Sequence, residues 1–375
     1  MSPEDDRRHM AHALALARRG LGRVWPNPSV ACVIVQGGRV VGRGVTAPGG
    51  RPHAEPQALA QAGAAARGAT AYVTLEPCAH HGRTPPCAAA LVAAGVARVV
   101  SALQDPDPRV SGGGHGMLRA AGIAVTTGVL AAEAAALQRG FLTRVTQGRP
   151  MVTLKLALSL DGRIATATGE SRWITAAPAR ARVHLMRACH DAVLVAGGTA
   201  RADDPELTVR GLGVAHQPLR LIASRGLDLP LAGRLAASVG QGPLWLLHGA
   251  SAPATARDRW QALGARLIAV PETGTGLDPA GLLAALGAEG LTRVFCEGGG
   301  QFGAALLRAG LVDRLEVFGA GLALGADGRA GIGALGLSAL ADAPRWRLVA
   351  AQPVGPDLWS SWELPAPWRH DALTP

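Results

Sequence analysis

H-A-E at residues 53–55 and T-L-E-P-C-A-H-H-G-R-T-P-P-C at residues 74–87 bring the residue types of a metal centre into one short region of the chain. The candidate ligands are His53, Cys78 and Cys87. One imidazole and two thiolates suit zinc, and a catalytic zinc keeps its fourth position for water. Glu55 lies two residues after the histidine, where a carboxylate can take a proton from that water and pass it to a leaving amine. The pattern predicts a catalytic zinc centre.

Other interpretations of these residues remain open from spacing alone. Cys78 and Cys87 could be a pair of core thiols. The zinc could instead be structural, in which case a fourth protein ligand would normally close the site. His80 and His81 are the candidates for that ligand, although either could also line a substrate pocket or be solvated.

Strands and helices alternate around this region. An amphipathic helix from about Pro3 to Arg19 precedes two strands, and further strand–helix pairs follow, among them short helices at 117–121 and 130–140. Such alternation predicts an α/β domain, in which the metal ligands come from two helix N-termini that face each other. The domain closes near Gly148, so we expect a first domain at 1–148 and a second at 150–375.

Composition excludes several classes of protein. The chain has 375 residues, a formal net charge of +10 and only 3% aromatic residues. Its basic residues are spread without a run, so the charge fits a phosphorylated small substrate better than a nucleic acid. The apolar runs are too short for a membrane helix. Five cysteines and no signal peptide predict a cytoplasmic protein without disulfides.

The second half of the chain has fewer residues whose type and position suggest catalysis or ligand binding. Lys155 is the only lysine in the chain and lies in an apolar strand that ends at an Asp-Gly turn. It predicts contact with a phosphate or substrate oxygen, or else a residue facing solvent. The glycine run at 298–300 separates a strand from a helix at 302–309, as in many phosphate sites. Thr175 is expected to cap a helix, and R-L-E-V-F at 314–318 to form an edge or meander strand.

The metal motif itself is the signature of the zinc-dependent nucleobase deaminases. Its cysteines are separated by eight residues rather than the two of P-C-x-x-C, which disfavours a cytidine or tRNA-adenosine deaminase. With W-P-N-P-S-V at 25–30 and D-P-D-P at 105–108, it resembles the deaminase half of the bifunctional riboflavin-biosynthesis deaminase–reductase family. The resemblance implies a cytidine-deaminase-like three-layer fold for the first domain.

The second half resembles the reductase of the same family, with motifs in the same order, and implies a dihydrofolate-reductase-like fold. The motifs are K-L-A-L-S-L-D-G (155–162), S-R-W-I-T (171–175), G-G-T-A-R-A-D-D-P-E-L-T-V-R (197–210) and E-G-G-G (297–300). The residues implied around NADPH are Ala157, Trp173, Thr199, Asp203, Ser224, Gly299, Gly300, Gln301, Phe302, Gly303, Ala304 and Ala305. Those implied around the substrate are Ser171, Leu207, Arg210 and Glu297.

The resemblance also implies the reactions. Zn²⁺ and Glu55 would deaminate 2,5-diamino-6-ribosylamino-4(3H)-pyrimidinone 5′-phosphate, and NADPH would then reduce its ribosyl group to ribityl. Arg210 would suit the 5′-phosphate. Members of this family form homo-oligomers, and the resemblance implies the same here. The alternative is a zinc deaminase of another base, with a second domain that only binds a ligand.

Overall fold

The computed structural model describes residues 2–79, 85–108, 110–274 and 276–364. The chain divides into two compact units, the first ending at Gly148 and the second beginning at Arg149. Each unit is built on its own main sheet. Among the described residues, no helix has both the length and the apolar character needed to cross a membrane.

The first unit is a five-stranded sheet with helices packed against it. Its helices are α1 (Pro3–Ala17), α2 (Ala54–Ala62), α3 (Cys87–Ala93), α4 (Gly113–Ala120) and α5 (Ala131–Gln147). Its strands are β1 (Ala31–Gln36), β2 (Arg39–Val45), β3 (Thr70–Val73), β4 (Arg98–Ser101) and β5 (Ala124–Thr127). The order is β2-β1-β3-β4-β5, with β1 antiparallel to both neighbours and β3, β4 and β5 parallel. Helices α1 and α5 pack together, and α2, α3 and α4 pack in succession.

Two glycines of β2 let helix α2 lie directly on the strand. A Cβ atom added at Gly42 would lie 2.2 Å from the carbonyl oxygen of Ala58, and one at Gly44 would lie 2.0 Å from that of Ala54. Both distances are far below van der Waals contact, so only glycine fits there. The close approach fixes the height of α2, and with it the residues at its N-terminus, above the sheet.

The second unit contains a larger sheet and two short ribbons. Its helices are α6 (Ala177–Ala188), α7 (Gly197–Asp203), α8 (Arg234–Ala237), α9 (Ala254–Ala262), α10 (Pro279–Ala288) and α11 (Gly300–Arg308). Its strands are β6 (Met151–Leu158), β7 (Arg163–Ala165), β8 (Ala192–Ala196), β9 (Leu219–Ala223), β10 (Leu244–His248), β11 (Arg266–Ala269), β12 (Glu272–Thr273), β13 (Gly276–Leu277), β14 (Arg293–Cys296), β15 (Arg314–Gly319), β16 (Arg329–Ala330), β17 (Arg347–Val354) and β18 (Asp357–Glu363).

The described strands of the large sheet follow the order β11-β10-β9-β8-β14-β6-β15-β18-β17. The seven from β11 to β15 are parallel, and β18 and β17 add an antiparallel hairpin. Ligands of such sheets bind beyond the carboxyl ends of the parallel strands, where the chain reverses its direction of winding. The ends of β6, β14, β8 and β9 are therefore the edge at which to look for a site.

Several local predictions were wrong. Helix α4 begins at Gly113 rather than 117, because a distant carboxylate binds its first N–H groups, as described below. Helix α5 continues to Gln147, well beyond 140. Ala176, not Thr175, is the N-cap residue of α6. Strand β15 is not at an edge, since it lies between β6 and β18.

Candidate functional site

The three predicted metal ligands converge. His53 is the N-cap residue of α2, and Cys87 is the first residue of α3. Nδ1 of His53 lies 3.4 Å from Sγ of Cys87 and 3.7 Å from Sγ of Cys78. Tetrahedral zinc, with bonds of about 2.0–2.1 Å to nitrogen and 2.3 Å to sulfur, requires a nitrogen–sulfur distance of about 3.6 Å. The donor set and its spacing therefore fit zinc.

Side-chain hydrogen bonds fix the backbone that carries His53. Nε2 of Gln57 donates to three carbonyl oxygens, those of Val45, Pro52 and His53, at 2.6, 3.2 and 2.8 Å. Nδ2 of Asn27, in the W-P-N-P motif, donates to the carbonyl oxygen of Gly50 at 2.7 Å. These two side-chain amides therefore fix the backbone that leads into α2.

The two cysteines share a polar environment. The backbone N–H of Cys87, at the start of α3, donates to Sγ of Cys78 at 3.4 Å. The hydrogen bond from the Cys87 thiol lowers the pKa of Cys78, and the same bond, together with burial, raises the pKa of Cys87. The pair thus readily forms one thiolate, and a helix N-terminus favours that charge.

Glu55 lies in the first turn of α2 and is only 3% exposed. Burial raises the pKa of its carboxyl group above the ordinary value, and the carboxyl also hydrogen-bonds the thiol of Cys87. A buried carboxyl group with a raised pKa beside the ligand cluster is suited to accept a proton and to return it.

The side chain of Glu76 joins the segment that precedes Cys78 to the D-P-D-P segment at 105–108. Sequence analysis did not predict Glu76 as a site residue. Its Oε2 accepts from the N–H groups of Asp105 and Gly112 at 3.1 Å each, and its Oε1 accepts from those of Gly114 and His115 at 2.9 and 3.1 Å. The side chain is buried. It caps the start of α4 and fixes the backbone two residues before Cys78.

Three side chains make up the ligand group among the described residues, namely His53, Cys78 and Cys87. That part of the chain brings no fourth histidine, cysteine or carboxylate into the group. His80 and His81, considered above as a fourth ligand or as pocket residues, lie outside the described residues. The described geometry therefore has the three-ligand form of a catalytic site.

In the second unit, Lys155 and Glu297 meet at the edge identified above. Lys155 lies in β6, Glu297 follows β14, and the Nζ–Oε2 distance is 3.9 Å. Nε and Nη2 of Arg187 donate to the two carboxylate oxygens at 2.5 and 3.1 Å. Burial lowers the pKa of Lys155. Burial acts to raise the pKa of Glu297, but Arg187 and Lys155 outweigh it and hold that pKa below its ordinary value.

Arg187 also reaches the segment that carries two predicted substrate residues. Its Nη1 donates to the carbonyl oxygen of Thr208 at 2.8 Å. Leu207 packs in the core of the unit and has φ +57°, so contact with a substrate could involve only its backbone. Arg210 is exposed and pairs with Glu206 at 2.6 Å. No sequence motif indicates that Arg187 connects Glu297 to this segment.

The predicted cofactor residues gather around the start of helix α11. The N–H of Gly299 donates to Oγ1 of Thr199 at 3.0 Å, which joins the ends of β14 and β8. A Cβ at Gly197 would lie 2.9 Å from Oγ of Ser224, at the end of β9. Helix α11 thus begins at the carboxyl edge of the sheet, with Gly299 as its N-cap residue and Gly300 as its first residue.

The remaining predicted residues have the following positions. Trp173 is 68% exposed and stacks under the guanidinium of Arg180 at 4.5 Å. The carbonyl oxygen of Asp203 accepts from Arg172 and Arg234. Ala157 lies near the end of β6 and Ser171 precedes Trp173, both partly buried. The other members of the α11 set are Gln301, Phe302, Gly303, Ala304 and Ala305, of which Gly303 and Ala304 are buried.

Two family models match the chain. The model described as the RibD C-terminal domain matches residues 150–360. The model described as the cytidine and deoxycytidylate deaminase zinc-binding region matches residues 3–103. The first unit thus has a cytidine-deaminase-like fold and the second has the dihydrofolate-reductase-like fold of the RibD C-terminal domain.

Curated relatives and solved structures match along nearly the whole length. The riboflavin biosynthesis protein RibD of Escherichia coli (strain K12) is 44% identical over 367 residues, which are 94% of this chain and 98% of the relative. The structure of Acinetobacter baumannii RibD, form 1, is 39% identical, covers 96% of this chain and 99% of its own, and superposes with a TM-score of 0.87. A deaminase/reductase structure from Thermotoga maritima is 32% identical at the same coverage, with a TM-score of 0.84.

Proposed function

This chain belongs to the RibD family, whose members join a deaminase and a reductase of riboflavin biosynthesis, and we propose which of its residues carry each reaction. It is a bifunctional enzyme, a hydrolase in the zinc-binding domain and an oxidoreductase in the second domain. We keep the domain limits expected from the sequence, 1–148 for the deaminase and 150–375 for the reductase.

In the deaminase, His53, Cys78 and Cys87 would hold zinc, which supplies a water that ionises near neutral pH. The substrate is 2,5-diamino-6-ribosylamino-4(3H)-pyrimidinone 5′-phosphate. Glu55 would accept a proton from the attacking water and pass it to the ring nitrogen. It would then accept the proton of the hydroxyl now bound to the ring carbon and pass it to the departing amino group, which leaves as ammonia. Its buried position next to the ligand cluster supports this assignment, because a carboxylate with a raised pKa is a stronger base toward the attacking water and retains the proton until the substrate takes it.

In the reductase, NADPH would supply a hydride to C1′ of the ribose in its open imine form, and the imine nitrogen would take up a proton from water. Lys155 and Glu297 bind the sugar at the carboxyl edge of β6 and β14, and Arg187 holds the Glu297 carboxylate in place. Ser171, Leu207 and Arg210 complete the substrate side, with Arg210 directed to the 5′-phosphate. The remaining cofactor contacts are Ala157, Trp173, Thr199, Asp203, Ser224 and residues 299–305.

The observation that carries the proposal is the zinc-compatible spacing of His53, Cys78 and Cys87 with the buried carboxyl of Glu55 beside it. The test gives zinc-replete protein the diaminopyrimidinone ribotide and records ammonia before NADPH is added, then NADPH absorbance. We expect ammonia first and stoichiometric NADPH oxidation afterwards. Ammonia release that persists after the zinc is removed by a chelator would contradict the deaminase assignment.

Two further properties rest on the resemblance. The family forms homo-oligomers, and we infer the same for this chain, which light scattering of the purified protein would test. A cytoplasmic location is also inferred, and fractionation of cells would test it.

A further inference from the structure

The order of the strands along this edge indicates the direction in which the cofactor would lie across the sheet. Lys155, in β6, and Glu297, directly after β14, are the proposed substrate residues and would therefore lie near the nicotinamide. Gly299 and Thr199, proposed cofactor residues in contact between β14 and β8, would lie at the diphosphate. The next strand along the same edge is β9. A dinucleotide that spans this edge must therefore place its adenosine ribose near the end of β9.

A cluster of three polar side chains lies at that end. Nη1 of Arg201 donates to Oδ2 of Asp228 at 2.7 Å, and Oγ of Ser224 donates to Oδ1 of the same carboxylate at 3.1 Å. A Cβ atom at Gly197 would lie 2.9 Å from Oγ of Ser224 and 3.3 Å from Nη1 of Arg201. The guanidinium therefore lies beside Gly197, the first residue of α7, which is two residues before Thr199.

We propose that Arg201 binds the 2′-phosphate of NADPH, with the hydroxyl of Ser224 as a second donor, and so determines the preference for NADPH over NADH. This inference rests on the proposed function, in which the second domain uses NADPH. A guanidinium offers two parallel N–H donors to a phosphate, which makes arginine the usual residue for this group.

Asp228 competes with the 2′-phosphate for the guanidinium of Arg201. Both members of its ion pair with Arg201 are solvent-exposed, with 45% and 65% of their side chains accessible. Such a pair contributes little stability, so a phosphate dianion can displace the carboxylate from the guanidinium. NADH lacks the phosphate and leaves the pair in place. Asp228 therefore opposes NADPH binding weakly.

The test measures binding of two cofactor fragments to the full-length protein by calorimetry. The fragment 2′,5′-ADP carries the 2′-phosphate, and 5′-AMP does not. We expect the wild type to bind 2′,5′-ADP at least tenfold more tightly, and Arg201→Gln to abolish that difference with 5′-AMP unchanged. Arg266→Gln is the matched control, since Arg266 is another exposed arginine in an ion pair, with Glu289. It should behave as wild type.

Two other variants can overturn the inference. Asp228→Asn should bind 2′,5′-ADP more tightly; weaker 5′-AMP binding instead would mean that Asp228 holds the ribose 2′-hydroxyl. Arg225, exposed on the same loop, is the rival guanidinium. Loss of the preference in Arg225→Gln rather than in Arg201→Gln would transfer the role to Arg225 and refute the proposal.

Kinetics separate this inference from the proposed function. If Arg201 governs 2′,5′-ADP binding but the wild type oxidises no NADPH with the deaminated intermediate, the reductase assignment fails and the inference stands. If NADPH is oxidised and Arg201→Gln leaves the NADPH-to-NADH ratio of kcat/KM unchanged, the inference fails and the reductase assignment stands.

Discussion

The guanidinium of Arg187 holds the carboxylate of Glu297 through two hydrogen bonds, although 110 residues separate them in sequence. Both side chains are nearly buried, with 12% and 10% exposed. Removing one partner from such a pair leaves the other charge buried and costs about 3–5 kcal/mol. The pair thus matters both for the fold of the reductase and for the position of the carboxylate.

We predict that Arg187→Lys lowers kcat/KM for NADPH oxidation while ammonia release stays at the wild-type rate. Lysine keeps the charge but cannot donate two parallel hydrogen bonds. Arg266→Lys is the control, because its ion pair with Glu289 is at the surface. A variant that folds stably and reduces the intermediate at the wild-type rate would remove Arg187 from the mechanism.

Glu55→Gln should lower the rate of ammonia release by about 10²- to 10⁴-fold, the usual contribution of general acid–base catalysis. Glutamine has nearly the same volume, so zinc content by metal analysis should not change. NADPH oxidation should also continue when the deaminated intermediate is supplied. Glu133→Gln, an exposed change in the same unit, serves as the control. Undiminished ammonia release from Glu55→Gln would rule out its catalytic role.

Glu76→Gln should destabilise the protein by about 3–6 kcal/mol in urea unfolding. The amide NH₂ would replace one of the two oxygens and face two N–H donors, and each hydrogen bond to a charged group contributes about 1.5–3 kcal/mol. The exposed Glu4→Gln should cost little. If the two variants unfold at the same urea concentration, the four hydrogen bonds of Glu76 do not stabilise the fold as described above.

His190 should make the stability of the protein depend on pH. Nδ1–H donates to the carbonyl oxygen of Met186, and Nε2 accepts from the hydroxyl of Thr153, so the buried ring is neutral. Burial lowers its pKa from 6.5 to about 3. Between these values the unfolded state binds the additional proton, so the free energy of unfolding falls as the pH decreases, by about 2 kcal/mol at pH 5.

The variant His190→Gln checks this dependence. It should be less stable than the wild type at pH 7. Between pH 7 and pH 5, however, its free energy of unfolding should fall by about 2 kcal/mol less than that of the wild type. His12→Gln, at an exposed position of α1, should retain the wild-type pH dependence. An unchanged dependence in His190→Gln would show that other groups are responsible.

The parts of the molecule that sequence analysis predicted are those set by local spacing. His53 and Glu55 lie in one turn at the start of α2, and Cys78 and Cys87 are close in sequence, so the spacing of the motif is enough to indicate the ligand set. The predicted family and both domain folds are confirmed. Lys155 was noticed because it is the only lysine in the chain.

The residues that sequence analysis missed act over long distances. Arg187 is one arginine among many, and nothing near it in sequence marks its bond to Glu297. Glu76 belongs to a quoted motif, but its four N–H donors come from a segment about 30–40 residues further on. Those donors also explain why α4 begins at glycines, which have low helix propensity. Pairings of this kind follow only from the tertiary structure.

The tight contact between β2 and α2 makes two residues without functional groups sensitive to substitution. A methyl group at Gly44 would strike the carbonyl oxygen of Ala54, the residue between His53 and Glu55. Any side chain there would push away the helix end that bears a metal ligand and the proton carrier. In a saturation-mutagenesis screen for deamination, positions 42 and 44 should therefore tolerate as few amino acids as the zinc ligands do, and natural drift at these positions should be equally restricted.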